Sequence, residues 1–259
     1  MTNNRTVRGA VEVEQLEERR LLSSNVFLSG GVLFIRGDDG RDNVFVSRNF
    51  DGGKIRVTMN GDTDRFRRSD VQSLNIKVFG GDDRVEISSA LDEPANIRGG
   101  NDDDVLISGS GNSTLVGNSG DDLIYGGNDN DILIGQDGQD TLFGGGGRDT
   151  LVGGQGDDQL YGGGGSDNLI GNEDNDILHG GASSDTLDGS EGDDTLYGDS
   201  GEDTLMGGDG EDTLFAVDFE DDNVGGGNGD DTLYVDSRRD DYHGDAGDDN
   251  IIKTPFLFF

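Results

Sequence analysis

Aspartate returns every nine residues along the C-terminal three-fifths of this 259-residue chain. Asp104, Asp122, Asp131, Asp140, Asp149, Asp158, Asp167, Asp176, Asp185, Asp194, Asp203, Asp212, Asp222, Asp231, Asp240 and Asp249 fill the sixth position of consecutive nonapeptides, with Ser113 the one exception. Thirteen units run without a gap from Gly99 to Phe215. A fourteenth, Ala216 to Gly225, carries one extra residue, and three more span Gly226 to Ile252. If two units make one coil, the aspartates on one side recur every 18 residues and stand about 4.8 Å apart, the spacing of neighbouring strands. Carboxylates that close repel unless a cation lies between them. A hard divalent ion with oxygen ligands at about 2.3–2.6 Å fits, and Ca²⁺ suits a flexible, water-poor oxygen shell better than Mg²⁺ does. The series from Asp104 to Asp249 has eight gaps and that from Asp131 to Asp240 has six, so up to about 14 Ca²⁺ are expected.

The rest of the unit says what positions these groups. Position 8 is apolar or aromatic in all 17 units, from Leu106 to Ile251, while position 1 is Gly in 12 of the first 13 and position 4 in nine of them. Glycine at positions 1 and 4 permits positive φ, so the first six residues are expected to form a turn and the last three a short strand. Alternation sends position 8 inward and its neighbours outward. Stacked two-unit coils then bury position 8 from both sides. The fold class is therefore all-β, a parallel β-roll (a two-sheet β-solenoid) with a thin leucine core. One sheet should display an aromatic stripe at position 9: Tyr125, Phe143, Tyr161, His179, Tyr197, Phe215 and Tyr234.

Charge is partitioned the same way. Residues 1–98 hold 15 Lys+Arg against 16 Asp+Glu, whereas residues 99–259 hold 4 against 39. So acidic a surface excludes nucleic acid and anionic membrane as partners, because phosphate binding needs Lys and Arg. Cations are the natural partners. No Cys is available for disulfides or thiolate metal sites. No apolar run approaches the ~20 residues of a membrane span, and the first 25 residues lack the apolar core of a secretory signal peptide.

Residues 24–98 form a β-rich cap with degenerate repeats. Val26–Leu28 and Val32–Ile35 flank Gly30-Gly31 as a hairpin, and Asn43–Ser47, Lys54–Met59, Leu74–Phe79 and Arg84–Ile87 are strand-like. Gly37 to Phe45 and Gly80 to Val85 look like decayed forms of the nonapeptide. The cap either continues the roll of residues 99–252 or folds as a small separate domain.

The stretch Gly153-Gly154-Gln155-Gly156-Asp157-Asp158-Gln159-Leu160-Tyr161 resembles, at every fixed position, the G-G-x-G-x-D-x-U-x repeat of RTX (hemolysin-type calcium-binding) proteins. That resemblance covers about 150 residues. It implies a secreted bacterial protein that is unfolded at low Ca²⁺ and folds outside the cell. A shorter one lies at Leu16-Glu17-Glu18-Arg19-Arg20-Leu21-Leu22, which is similar to the LEPR-XLL segment of large exported bacterial proteins, with Glu18 in place of Pro. It suggests a sorting role for residues 1–23. The apolar tail 253–259 resembles a C-terminal type I secretion address, or else covers the open end of the roll.

Other candidates carry less. His179 and His243 share no ligand spacing, Arg65, Arg67 and Arg68 suggest a solvated basic loop, and Thr at position 7 is an ordinary strand residue. No catalytic set emerges. The expected function is a non-enzymatic, calcium-binding, secreted or surface-associated repeat protein. The alternative is a calcium-dependent adhesin or matrix protein that binds a cell-surface partner, or itself, through the aromatic face.

Overall fold

A computed structural model describes residues 25–50, 52–236 and 239–254. The segment 1–23 and the apolar residues of the tail, Pro255 to Phe259, lie outside the described residues. What is described is an all-β parallel solenoid of about ten coils in two sheets, one of 12 strands and one of 13. Successive coils pair 18 residues apart, with Leu142 opposite Leu160 and Leu151 opposite Leu169. Position 8 of both sheets packs into one interior, where each position-8 leucine from Leu106 to Leu233 is fully buried.

Two details differ from the expected unit. Strands are six residues long, not three: Thr141–Gly146 and Gln159–Gly164 run from position 7 through position 3 of the next unit, pairing again at positions 2 and 3. Only positions 4 to 6 turn. Positive φ falls at positions 2 and 4, as at Gly145 (107°) and Gly147 (137°), and not at position 1. Even Gln136 (93°) and Asn172 (86°) adopt it at position 2. Glycine at position 1 answers a steric demand instead: a Cβ on Gly153 or Gly135 would collide with Oδ2 of the aspartate in its own unit.

The N-terminal region uses the same two sheets. Strands β1 (Val26–Ser29) and β2 (Val32–Arg36) form the expected hairpin, and β3 (Asn43–Arg48) starts a meander with β4 (Lys54–Met59) and β5 (Asp62–Arg67). Strand β6 (Ser73–Lys77) pairs parallel to β2, and β7 (Arg84–Ile87) parallel to β3. Strand β8 (Ala95–Asn101) joins β6 to the roll strand Thr114–Ser119, as β7 joins β3 to Val105–Ile107. The sequence pattern missed β5 and β8. Arg65 and Arg67 lie on the edge strand β5 and not in a loop, while Arg68 opens a 3-10 turn and ion-pairs with Asp92 and Glu93. Alternation in Asp62–Arg67 is masked because Asp62 and Asp64, on the same face as Phe66, are polar, so that Phe66 alone is a buried apolar residue there.

Candidate metal centre: a buried carboxylate ladder

The turns carry the sixteen aspartates to two edges of the roll. Fourteen of them, from Asp104 to Asp231, are at most 4% exposed; Asp240 and Asp249, in the last coil, are half-buried. Each ladder is built by hydrogen bonds in one direction. The backbone N–H of Asp140 donates to Oδ1 of Asp158 at 2.7 Å, that of Asp158 to Asp176 at 2.8 Å, and on the other edge that of Asp149 to Asp167 at 2.8 Å. The extra residue near Ala216 leaves the rungs intact, since Asp203 still reaches Asp222 and Asp212 still reaches Asp231, at 2.8 and 2.9 Å. Rungs lengthen only at the end, to 3.3 Å for Asp222 to Asp240 and 3.1 Å for Asp231 to Asp249. Ser113 holds its place with its own N–H on Asp131 Oδ1 and its hydroxyl against Ser108 and Gly111.

The second carboxylate oxygen is the unsatisfied one. Oδ2 of twelve of these aspartates, among them Asp122, Asp149, Asp158 and Asp185, is buried without a hydrogen-bond partner. A buried anionic oxygen in that state is costly. Backbone carbonyls crowd the same place: the Cβ position of Gly144 lies 2.6 Å from both Asp149 Oδ2 and Gly162 O, and that of Gly162 lies 2.7 Å from Asp167 Oδ2 and 2.6 Å from Gly180 O. Orphaned carboxylate oxygens beside carbonyls, with no donor between them, are a donor set for a hard cation. Among the described residues no three His, Cys, Asp or Glu side chains converge. An ion between coils would therefore take its carboxylates one per rung and its remaining ligands from the main chain.

Electrostatics state the same demand. Burial, more than mutual repulsion, pushes these side chains up: Asp122, Asp158 and Asp176 to about 8, Asp104, Asp131, Asp185, Asp203, Asp212 and Asp222 to about 7, and Asp140, Asp149 and Asp194 to about 6. Asp167, Asp231 and Asp240 shift the same way for the same reason. The rung hydrogen bond on Oδ1 opposes burial but does not cancel it. Neighbouring carboxylates add a smaller push at most positions, so desolvation, not spacing alone, makes the ladder need a counter-charge.

Two rungs escaped the sequence pattern. Asp42 and Asp83, 1% and 2% exposed, extend one ladder into the cap, with Asp42 N–H on Asp83 Oδ1 at 2.6 Å and Asp83 N–H on Asp104 Oδ1 at 2.9 Å. The decayed units around them were the available signal; the 41- and 21-residue intervals, swollen by the meander and a loop, hid the register. Position 5 was also missed. Asp103, Asp121 and Asp157 each accept the N–H of the following coil at 2.9–3.0 Å, a counter-running ladder on the solvent side.

A parallel β-roll with a buried carboxylate ladder along each edge is the class that fold and site define. Residues 96–115, 107–142, 134–169, 143–178, 161–196 and 179–214 match the sequence model of the RTX calcium-binding nonapeptide repeat. The chain thus carries RTX repeats across residues 96–214, which make it a calcium-binding β-roll repeat protein. No curated protein matches it.

Proposed function

We propose that the ladder aspartates from Asp104 to Asp249 ligate up to about 14 Ca²⁺ between successive coils, and that the roll folds when it meets millimolar calcium outside the cell. The orphaned Oδ2 row carries this reading. Calcium supplies the positive charge that the interior lacks, and the chain's own part is to present one carboxylate and the glycine carbonyls per turn. In this reading the protein is non-enzymatic, extracellular, and divided into a sorting segment (1–23), a cap (24–98), the roll (99–252) and a tail (253–259). Far-UV circular dichroism during a Ca²⁺ titration tests it: β signal should appear cooperatively at about 10⁻⁴–10⁻³ M, and a roll that persists in excess EGTA would overturn it.

An adhesive role through the aromatic face is the second reading. Seven rings from Tyr125 to Tyr234 stack at centroid separations of 4.3–5.1 Å with nearly parallel planes. Because each ring covers its neighbour's face, only edges and the Tyr hydroxyls remain for a partner. Stacking thus favours stabilisation of the sheet. Calcium-dependent retention on cell-surface material, lost on Tyr161→Ala, would support the adhesive reading.

A further inference from the structure

The cap and the roll are stabilised by different means. Among the described residues, eighteen buried apolar side chains lie between Val26 and Ile97, and the same number is spread over the twice longer stretch from Leu106 to Val235. The cap thus has the denser apolar core. Its formal charges nearly balance, with 11 Lys+Arg against 12 Asp+Glu over residues 25–98, and several of its acids have cationic partners: Arg41 with Asp82 at 2.6 Å, Arg68 with Glu93 at 2.5 Å, and Arg84 with Glu86 at 2.7 Å.

The first rung is the decisive difference. Asp42 is as buried as any ladder aspartate, yet both of its oxygens are satisfied by protein: Oδ1 by Asn60 Nδ2 at 2.6 Å, and Oδ2 by the Asp38 N–H at 2.8 Å. Asn60 sits in the β4–β5 turn with φ 50° and also accepts the Asn43 N–H at 2.8 Å. The Asp38 N–H thus meets the oxygen that is left for a cation further along, while the Asn60 amide stands on Oδ1 in place of the N–H of a preceding coil. Along the same ladder the second oxygen is orphaned from Asp83 through Asp231. The same meander covers the end of its sheet with antiparallel strands.

We infer that residues 25–98 fold without calcium and act as a template, so that calcium-driven folding of the roll starts at the cap and runs toward the C-terminus. Each new coil then needs only to add to an existing strand edge and an existing rung, which removes the nucleation cost that a free coil would bear. The inference rests on the calcium reading of the ladder, and the test separates the two.

Hydrogen exchange on the full chain in EGTA at pH 8 should show amides of residues 26–97 protected at least 100-fold and those of residues 106–235 exchanging as an unfolded chain. At sub-saturating Ca²⁺, protection should reach residues 105–142 before residues 204–254. An unprotected cap in EGTA, or protection that begins in the C-terminal coils, overturns templating and leaves the calcium reading standing. A roll protected in EGTA overturns both. In the full chain, Val46→Asp, which breaks the cap core, should raise the Ca²⁺ midpoint of roll formation at least tenfold, and Asn60→Gly, which deletes the amide but keeps a residue suited to positive φ, should raise it severalfold. Unchanged midpoints in both variants reject the template.

Discussion

Acidification without calcium should rebuild part of the roll. An aspartate whose folded pKa lies above its unfolded value of 3.8 binds more protons folded than unfolded in the interval between, so the ion-free roll loses stability as pH rises through that interval and recovers it as pH falls. For a rung at about 7, ionisation costs the fold ~4 kcal/mol at pH 8 and ~2 kcal/mol at pH 5. Six rungs share that value. Moving from pH 8 to pH 5 therefore returns ~2 kcal/mol per rung, on the order of 10 kcal/mol for the six together, comparable with the whole stability of an ordinary domain. Even half of that decides whether the roll forms. The assay is far-UV circular dichroism with limited proteolysis in EGTA at descending pH, stopped at pH 5 to stay above the sequence pI of about 4.1. The expected result is an unfolded, protease-sensitive roll at pH 8 and growing β signal with protection toward pH 5. A chain equally unfolded at both pH values would refute the claim that carboxylate burial controls the fold.

Single substitutions probe the parts. Asp158→Asn keeps an Oδ1 to receive the Asp140 N–H but removes the charge; the ion-free form at pH 8 should gain several kcal/mol, while calorimetry should find one or two fewer Ca²⁺ bound, one for each gap the rung borders. Gly153→Ala drives a Cβ into Asp158 Oδ2 and toward Gly171 O at 2.9 Å, so the calcium-loaded melting point should fall by the equivalent of ~1–3 kcal/mol. Gly164→Ala, whose Cβ would meet only Gly145 O at 3.9 Å, should be nearly silent in the same melt. Tyr161→Ala removes two stacked contacts, with Phe143 and His179, and should cost ~1–3 kcal/mol on thermal melting without changing calcium stoichiometry.

The repeat was legible because a single period fixes every level of the structure. Leu160 at position 8 implies burial, Asp158 at position 6 implies a ladder, and 18 residues per coil imply the register that pairs Leu142 with Leu160. What the period could not reveal is which part of the unit turns. Glycine at position 1 suggests flexibility, whereas its role depends on where the Asp158 side chain lies, a fact of three-dimensional packing. Strand β5 was lost for another reason: as an edge strand it buries only Phe66, and alternation cannot show through one inward residue. The rungs Asp42 and Asp83 were hidden by insertions, because a coil can take up a hairpin between two paired strands without disturbing the pairing on either side.

The choice of aspartate over asparagine at position 6 follows from these contacts. Hydrogen bonding between coils needs only one side-chain oxygen, which asparagine also offers, and the cap shows an asparagine amide quenching a buried carboxylate at Asp42. An asparagine ladder would give a roll without the ionisation penalty and without a need for ions. Aspartate keeps the same rung and, at twelve positions, leaves a second buried oxygen that no protein donor reaches. Glutamate would preserve the charge, but its extra methylene would move the carboxylate from the place beside the position-1 glycine where the backbone makes room for it. On the proposed calcium reading, the residue at position 6 makes folding conditional on the concentration of a small cation around the chain.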